Sequence, residues 1–503
     1  AGSWHPGQFD WRAALARQHI HTLLSVKAHE GVVRLASGQG SWWCHAVFAL
    51  RHRWEALLER FFSPFHGAVL RSVLLGQRMA LADDLRRAFI ETGTMHLLVI
   101  SGFNVGLIAM LFEGMLRVLG VPWRLRLICS ACGLFGYCLL TGMQPPVLRA
   151  TIMAWIVLGA VWLDRVVHWP TALATAALGI LAWRPQQVFD AGFQLSFGAV
   201  ASLLVFAPRL PRLLEPRLRL RPAWVTRYVA VSLAATVAIW IGLWPLLAWY
   251  FHLVSPVSVL ANLLLVPLVS VTVASGSLVL LLGSVAEGIV AWTRGGFVVL
   301  VDAMVWCVRW CQQVPAGSWS VGHPSVGVIA GYYLLVWLTL ARNRLRWSTR
   351  RVLGCWGVAL AVWVWGHVLV HGVGGRSWEI TALDVGHGDS LVIRTPDRQT
   401  LIVDAGTQDA GQYTVVPFLR YRGWDTVDAL ILTHPDEDHV GGALPLLQAV
   451  TVQQVLTNGF PARTHTVRRL VAALETAQIP RRRLTAGMRL TGLSGAELTV
   501  LHP

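Results

Sequence analysis

The 503-residue chain is 55% hydrophobic and 14% charged, whereas a soluble globular chain carries roughly 25% charged residues. A single soluble domain is thereby excluded, and the uneven spread of the apolar residues implies a long membrane-embedded block with soluble flanks. The formal charge is +16 and Lys27 is the only lysine, so almost every positive charge is an arginine; most are expected to hold cytoplasmic loops, although a basic surplus also suits an anionic partner.

Residues 1–40 are mixed in character, with strand-like pieces at His21–Val26 and Gly31–Leu35 before a Ser-Gly-Gln-Gly turn cluster at 37–40, as at the end of a small β domain. The chain starts at Ala1 with no initiator methionine or signal pattern, and it is expected to be a fragment. From 41 to 95, charged residues such as Arg51, Arg53, Glu55, Glu59 and Arg60 interleave with Trp, Leu and Phe at helical spacing. That pattern predicts amphipathic helices on the membrane surface.

Between 96 and 371, apolar stretches follow one another at 96–116, 127–141, 146–163, 170–183, 193–207, 228–251, 253–283, 286–314, 325–341 and 352–371. They predict about ten crossings of a hydrocarbon core roughly 30 Å thick, with interruptions expected at Pro267 and at Gly295-Gly296. Cysteines 129, 132, 138, 307, 311 and 355 lie in or beside these runs, where cysteine packs as a small apolar residue; no disulfide framework is implied. Three arginine clusters, around Arg117–Arg126, Arg209–Arg227 and Arg342–Arg351, are separated by even numbers of stretches. The positive-inside rule puts all three in the cytoplasm and both soluble ends outside it.

From residue 378 the composition is that of a soluble α/β domain. Strands are predicted at Trp378–Val385, Ser390–Thr395, Leu401–Asp404 and Val427–Thr433, and helices at Thr414–Tyr421, His439–Ala449 and Thr464–Ala477. Directly after the apolar run 429–432 comes Thr433-His434-Pro435-Asp436-Glu437-Asp438-His439-Val440-Gly441-Gly442. His434, Asp436, Asp438 and His439 are two imidazoles and two carboxylates within six residues, enough to hold one or two divalent ions. A solvated acidic turn with Asp438 capping a helix would use the carboxylates but leaves two histidines unexplained. Strand-end carboxylates Asp384, Asp389 and Asp404 are predicted at the same edge of the sheet.

This segment resembles the first half of a metallo-β-lactamase-fold domain, whose signature is His-x-His-x-Asp-His. Asp436 stands at the second histidine position, which makes the site richer in oxygen and manganese, or magnesium, as suitable as zinc. The resemblance maps His434, Asp436, Asp438 and His439 onto the ligands, with Asp438 and His439 at the catalytic second metal position, and Asp404, counted with the metal set, onto the preceding structural aspartate. It implies a further histidine and aspartate later in the fold; His502 is a weak candidate for the former.

The apolar block carries His96-Leu97-Leu98-Val99-Ile100-Ser101-Gly102-Phe103-Asn104, then Thr141-Gly142-Met143-Gln144-Pro145-Pro146 with Arg149, then Phe193-Gln194-Leu195-Ser196-Phe197, and Ser255-Pro256 with Asn262. In that order these resemble the transmembrane competence domain of the ComEC family, and His5-Pro6-Gly7-Gln8-Phe9-Asp10 resembles the end of its N-terminal OB-like domain. The fold class implied is a polytopic helical membrane domain (96–371) between the tail of an OB-like domain (1–40) and a truncated metallo-β-lactamase-like domain (378–503). Asn104, where the family has histidine, and His387, where it has glutamine, depart from the pattern. The resemblance implies a channel in the bacterial cytoplasmic membrane that takes up one DNA strand in natural transformation while an extracytoplasmic nuclease domain degrades the other. A competence DNA receptor and a cytoplasmic ATPase are implied as partners, and no Gly-x4-Gly-Lys-Ser/Thr loop of the chain's own is present. Asn104, Gln144, Arg149, Gln194 and Asn262 are candidates to line the DNA path, since polar groups facing lipid are costly; hydrogen bonding between helices is the alternative use. A translocator with a non-catalytic domain and a membrane-anchored metallohydrolase of another substrate stay open.

Overall fold

The computed structural model describes residues 5–8, 10–16, 20–22, 41–77, 81–218, 222–372, 377–493 and 496–501. The strand-like stretches expected before residue 40 lie outside these residues apart from His21 and Thr22, as does His502. Two compact units form: residues 23–246 with 254–319, and residues 1–22 with 247–253 and 320–503.

The chain enters the first unit through α1 (Trp42–Phe61), α2 (Pro64–Leu75) and α3 (Asp83–Glu91). Ser63 caps α2, its hydroxyl accepting from the His66 N–H at 3.3 Å, and Pro64 takes the first helical position, where its missing N–H costs nothing. The ten apolar stretches each hold a helix: α4 (Gly102–Val118), α5 (Trp123–Leu140), α6 (Pro145–Trp162), α7 (Trp169–Trp183), α8 (Ala191–Phe206), α9 (Ala223–Phe251), α10 (Ser258–Gly283), α11 (Gly288–Gln312), α12 (Val326–Ala341) and α13 (Thr349–Gly372). Among the described residues, α5, α6, α9, α10 and α11 are long and apolar enough to cross a membrane; α7, α8 and α12 are apolar but shorter. At 1.5 Å per residue, 15 or 16 residues reach only about 24 Å of a core roughly 30 Å thick.

Two expectations fail here. Helix α10 runs unbroken through Pro267, and α11 through Gly295-Gly296. A proline removes one backbone hydrogen bond, and packed neighbours tolerate that within a bundle. The segment at 64–75 is also no surface helix, because Gly67–Leu70 and Ser72–Leu75 are all buried. Its only charge, Arg71, pairs with Glu59 of α1 at 2.5 Å, so α2 has no polar face to turn toward headgroups. Trp54, Leu57 and Leu58 of α1 join the same core as Leu74, Phe89, Leu98, Leu134, Val273 and Met304. The Trp54 indole N–H donates to Ser284 Oγ at 3.1 Å, and Glu287 takes Arg53 at 2.8 Å and Arg60 at 2.6 Å, which ties α1 to the turn between α10 and α11. A separate cluster joins α7 and α8 through Ala176, Ile180, Phe193 and Phe197.

The second unit contains α12, α13 and a layered α/β domain. Its sheet runs β1 (Glu379–Ala382), β2 (Leu391–Arg394), β3 (Thr400–Val403), β4 (Ala429–Leu432), β5 (Val455–Thr457) and β6 (Arg481–Arg483) in spatial order. The first three are antiparallel neighbours, while β3, β4, β5 and β6 are parallel. The crossovers carry α14 (Val416–Arg422), α15 (Ala443–Ala449) and α16 (His465–Thr476). Strand β4 is buried on both faces: Leu430 and Leu432 enter one core, Ala429 and Ile431 the other. That is why its sequence is continuously apolar rather than alternating. The helix predicted from His439 to Ala449 is split into Glu437–Val440 and α15 by Gly441-Gly442. Near the start of the chain, His5 Nε2 accepts the Asp384 N–H at 2.6 Å and Gln8 Nε2 donates to Thr414 Oγ1 at 3.3 Å, seating that segment on the α/β domain.

Candidate metal centre

Because β3 and β4 are parallel, the loops that leave their C-terminal ends lie side by side. Asp404 begins one loop in the left-handed region, φ 55°, a conformation that aspartate tolerates better than most residues. Its N–H donates to Ile431 O at 2.8 Å, and its carboxylate turns to the neighbouring loop. Oδ1 accepts the Thr433 N–H at 2.8 Å; Oδ2 accepts the Thr433 hydroxyl at 2.6 Å and the His439 Nδ1–H at 2.9 Å. With its proton given to Asp404, Thr433 Oγ1 accepts from His434 Nδ1 at 2.8 Å.

One buried carboxylate, 3% exposed, therefore sets both imidazoles, His439 directly and His434 through Thr433. In each ring Nδ1 carries the proton, so Nε2 keeps its lone pair for a ligand. The two rings lie 3.6 Å apart at their centroids. His434 Nε2 is 3.8 Å from Asp436 Oδ2, and His439 Nε2 is 3.8 Å from Asp438 Oδ2. His434, Asp436 and Asp438 each offer one donor atom within 4.8 Å of the others, as do Asp404, His434 and His439. The sequence reading grouped Asp404 with the ligands. Both of its oxygens are engaged by donors from the protein, which fits a carboxylate that orients ligands better than one that coordinates.

The third wall is the loop after β1. Gly388 has φ +94°, and a Cβ there would run into the backbone carbonyl of Asp438; only glycine lets the two loops approach this closely. Gly406 N–H donates to Asp389 O at 3.1 Å and Ala405 N–H to His439 O at 2.9 Å, so three loops are bonded through their backbones. Asp384 holds its own turn, Oδ1 accepting the Gly386 N–H at 3.2 Å. The donor set fits a divalent ion: two imidazoles with fixed tautomers and two carboxylates on one rim, with Asp436 and His434 partly open to solvent.

The chain matches the family described as "Competence protein" over residues 73–346, more than half its length. It belongs to that family. The metallo-beta-lactamase superfamily matches residues 383–458, the segment that carries β2 to β5 and the loops just described. The chain is 28% identical to ComE operon protein 3 of Bacillus subtilis (strain 168) over 492 residues, 93% of this chain and 60% of that protein. It is 30% identical to competence protein ComA of Neisseria gonorrhoeae, covering 82% of this chain and 57% of that one. Recombination protein 2 of Haemophilus influenzae is 23% identical, covering 77% and 53%. The chain thus spans between half and three fifths of the length of these curated relatives. No solved structure matches it. Membership in the competence family with its apolar helices makes this a membrane protein, and the second match makes residues 383–458 a metallo-β-lactamase-type domain that implies a divalent metal.

The polar residues singled out in the membrane block are placed as follows. Asn104 on α4 is 2% exposed and its Nδ2 has no hydrogen-bond partner. Gln144, just before α6, donates from Nε2 to Gly76 O at 3.1 Å and leaves Oε1 unpartnered. Arg149 on α6 is 4% exposed, with Nη1 3.7 Å from Asp190 Oδ1 and with Nε and Nη1 lacking a hydrogen bond. Asn262 on α10 has an unpartnered Oδ1. Gln194 instead turns back on its own loop, donating to Val188 O at 2.8 Å. The sequence reading missed Asp190 and Thr433. Asp190 is the N-cap of α8, accepting the Phe193 N–H at 2.8 Å; Thr433 sits beside His434 in the motif but reads as an ordinary strand end.

Proposed function

We propose that the protein passes one strand of DNA across the bacterial cytoplasmic membrane, and that the domain from residue 378, outside the cytoplasm, cleaves the other strand with the help of divalent metal. The observation that supports cleavage is the pair of imidazoles, both protonated at Nδ1 through Asp404, whose Nε2 atoms face the carboxylates of Asp436 and Asp438. In this reading His434 and Asp436 hold one ion, and Asp438 and His439 contribute to a second. A divalent ion at such a site supplies charge neutralisation on phosphoryl oxygens and makes water a nucleophile at neutral pH. The chain's own part is to hold both imidazoles in the tautomer that leaves Nε2 free and to fix their direction, with Asp436 on the solvent side. Without cations the loop 436–438 presents three carboxylates and repels a phosphodiester; a bound cation inverts that local sign.

The path through the membrane is read from Asn104, Gln144, Arg149 and Asn262, each of which has at least one buried polar atom without a hydrogen-bond partner among the described residues, Arg149 being held by the longer ion pair to Asp190. Such groups cost free energy unless water or a ligand meets them. Gln194 is the weakest member of the set, since its side chain bonds within its own loop. A receptor that delivers DNA and a cytoplasmic ATPase belong to this reading as partners of the family. A second reading keeps the translocation and drops the cleavage, and Asp436 in place of an imidazole is what favours it. The discriminating experiment uses purified full-length protein with duplex DNA, in EDTA and in manganese, wild type against Asp438→Ala. Cleavage by the wild type in manganese alone, lost in Asp438→Ala, is the expected result. Equal activity in both, or none in the wild type with any divalent metal, refutes the nuclease assignment.

A further inference from the structure

Charge is segregated along the α/β domain. Between Val440 and Ala496 the sequence has seven arginines and one carboxylate, Glu475, while the metal loop just before it is acidic. The sheet brings these two regions together. Leu432, Thr457 and Arg483 form one row across the parallel strands β4, β5 and β6, and strands lie about 4.8 Å apart. Arg483 therefore stands roughly 10 Å from the end of β4, where Thr433 and His434 begin.

Among the described residues β6 is the last strand of its sheet, and charged residues on such a strand deter pairing with another chain. That does not explain the direction of two of the side chains. Arg481 reaches over the end of β5: Nη2 donates to Phe460 O at 3.0 Å, Nε approaches Thr457 Oγ1 at 3.4 Å, and the guanidinium lies 5.5 Å from the Phe460 ring. Arg483 lies over Gly459, where φ is +85° and a Cβ would sit 2.6 Å from Nε; a residue with a side chain there would displace it. Arg463 and Arg468 are tied to the same loop by a bond from Arg468 Nη2 to Arg463 O at 3.0 Å. All four arginines are exposed.

We propose that Arg481 and Arg483 of β6, with Arg463 and Arg468 of the preceding loop and helix, form a docking strip for the sugar–phosphate backbone of DNA beside the metal loop. The placement of the strip next to the scissile bond rests on the nuclease reading above, but the contact itself does not require cleavage. Two features support a nucleic-acid strand as the occupant. The strip is a row of guanidinium groups, which pair with phosphates in a planar fork. Its offset of about 10 Å from the metal loop corresponds to roughly three base-pair steps along the axis of a duplex, at 3.4 Å each. The strip would supply the attraction that the acidic loop lacks, and hold the polymer in register with the metal ligands.

The test is chemical footprinting of the full-length protein in EDTA, so that no cleavage intervenes. Phenylglyoxal modification is followed by mass spectrometry, with and without a 20-nucleotide single strand or its duplex. The oligonucleotide should slow modification of Arg481 and Arg483 at least fivefold and leave unchanged Arg398, which is exposed at the opposite end of the sheet in the β2–β3 turn. In parallel, Arg481→Gln with Arg483→Gln should weaken DNA binding by an order of magnitude or more and lower the slope of log affinity against log salt by about 1.4 for single strands or 1.8 for duplex. Asp438→Ala should retain the footprint; cleavage lost with the footprint kept separates the two claims. An absent footprint, equal protection of Arg398, or protection by phosphatidylglycerol vesicles but not by the oligonucleotide overturns the proposal. A footprint in a protein that never cleaves upholds the strip and refutes the nuclease reading alone.

Discussion

Asp404→Asn is the sharpest perturbation of the metal centre, because it preserves shape and removes the charge on which both histidines depend. In the wild type the carboxylate accepts three hydrogen bonds: Thr433 N–H, Thr433 O–H and His439 Nδ1–H. An amide has one oxygen. If Oδ1 keeps the Thr433 N–H, its NH2 faces His439 Nδ1 and the Thr433 hydroxyl, and the imidazole must give up its Nδ1 proton and take it on Nε2. That closes the lone pair intended for a ligand. A buried donor left unpaired costs about 1–3 kcal/mol, and loss of such an outer partner typically weakens metal binding 10- to 100-fold. At 1.36 kcal/mol per decade, the second figure is about 1.4–2.7 kcal/mol, within the range of the first. Manganese affinity of the full-length protein, measured by chelator competition beside circular dichroism to check folding, should therefore fall 10- to 100-fold in Asp404→Asn. Unchanged affinity in a folded variant, where the wild type binds manganese, would refute the orienting role and return Asp404 to the ligand set.

Arg149→Ala should abolish DNA uptake while the protein stays at normal levels in the membrane, because Asp190 is 40% exposed in its side chain and still caps α8; degradation of the variant would favour a packing role. A reporter active only in the cytoplasm, fused between α13 and β1, should give no signal, and a strong signal would overturn the sidedness read from the arginine clusters. His252, just beyond α9, is buried with φ 51°, and its pKa is pushed from the usual 6.5 down to about 4, first by burial and then by His323 and Arg420. Since the unfolded state binds the extra proton, this group's stabilising contribution is complete above pH 6.5 and is lost as pH falls toward 4. Thermal melts of the wild type should thus lose more stability across that window than those of His252→Phe, and parallel pH profiles would refute the assignment.

The sequence by itself determined the architecture wherever one period or one composition dominates. Ten apolar stretches became ten helices, and the continuously apolar run at 429–432 became a central strand, because burial on both faces leaves no room for polar alternation. It also singled out His434, Asp436, Asp438 and His439 as candidate ligands, since potential donors crowded into one short loop need no tertiary contact to be noticed. Tertiary structure decided the rest. Whether the helix at 64–75 lies on a surface or inside a core depends on neighbours that periodicity does not name, as does the fate of Pro267 within α10. The role of Asp404 follows from a strand pairing 29 residues distant from Thr433, and the position of Arg483 beside the metal loop follows from the order of parallel strands. Helical and strand periods are properties of adjacent residues, whereas hydrogen-bond partners and charged rows are set by register, which the parallel crossovers fix only in the folded chain.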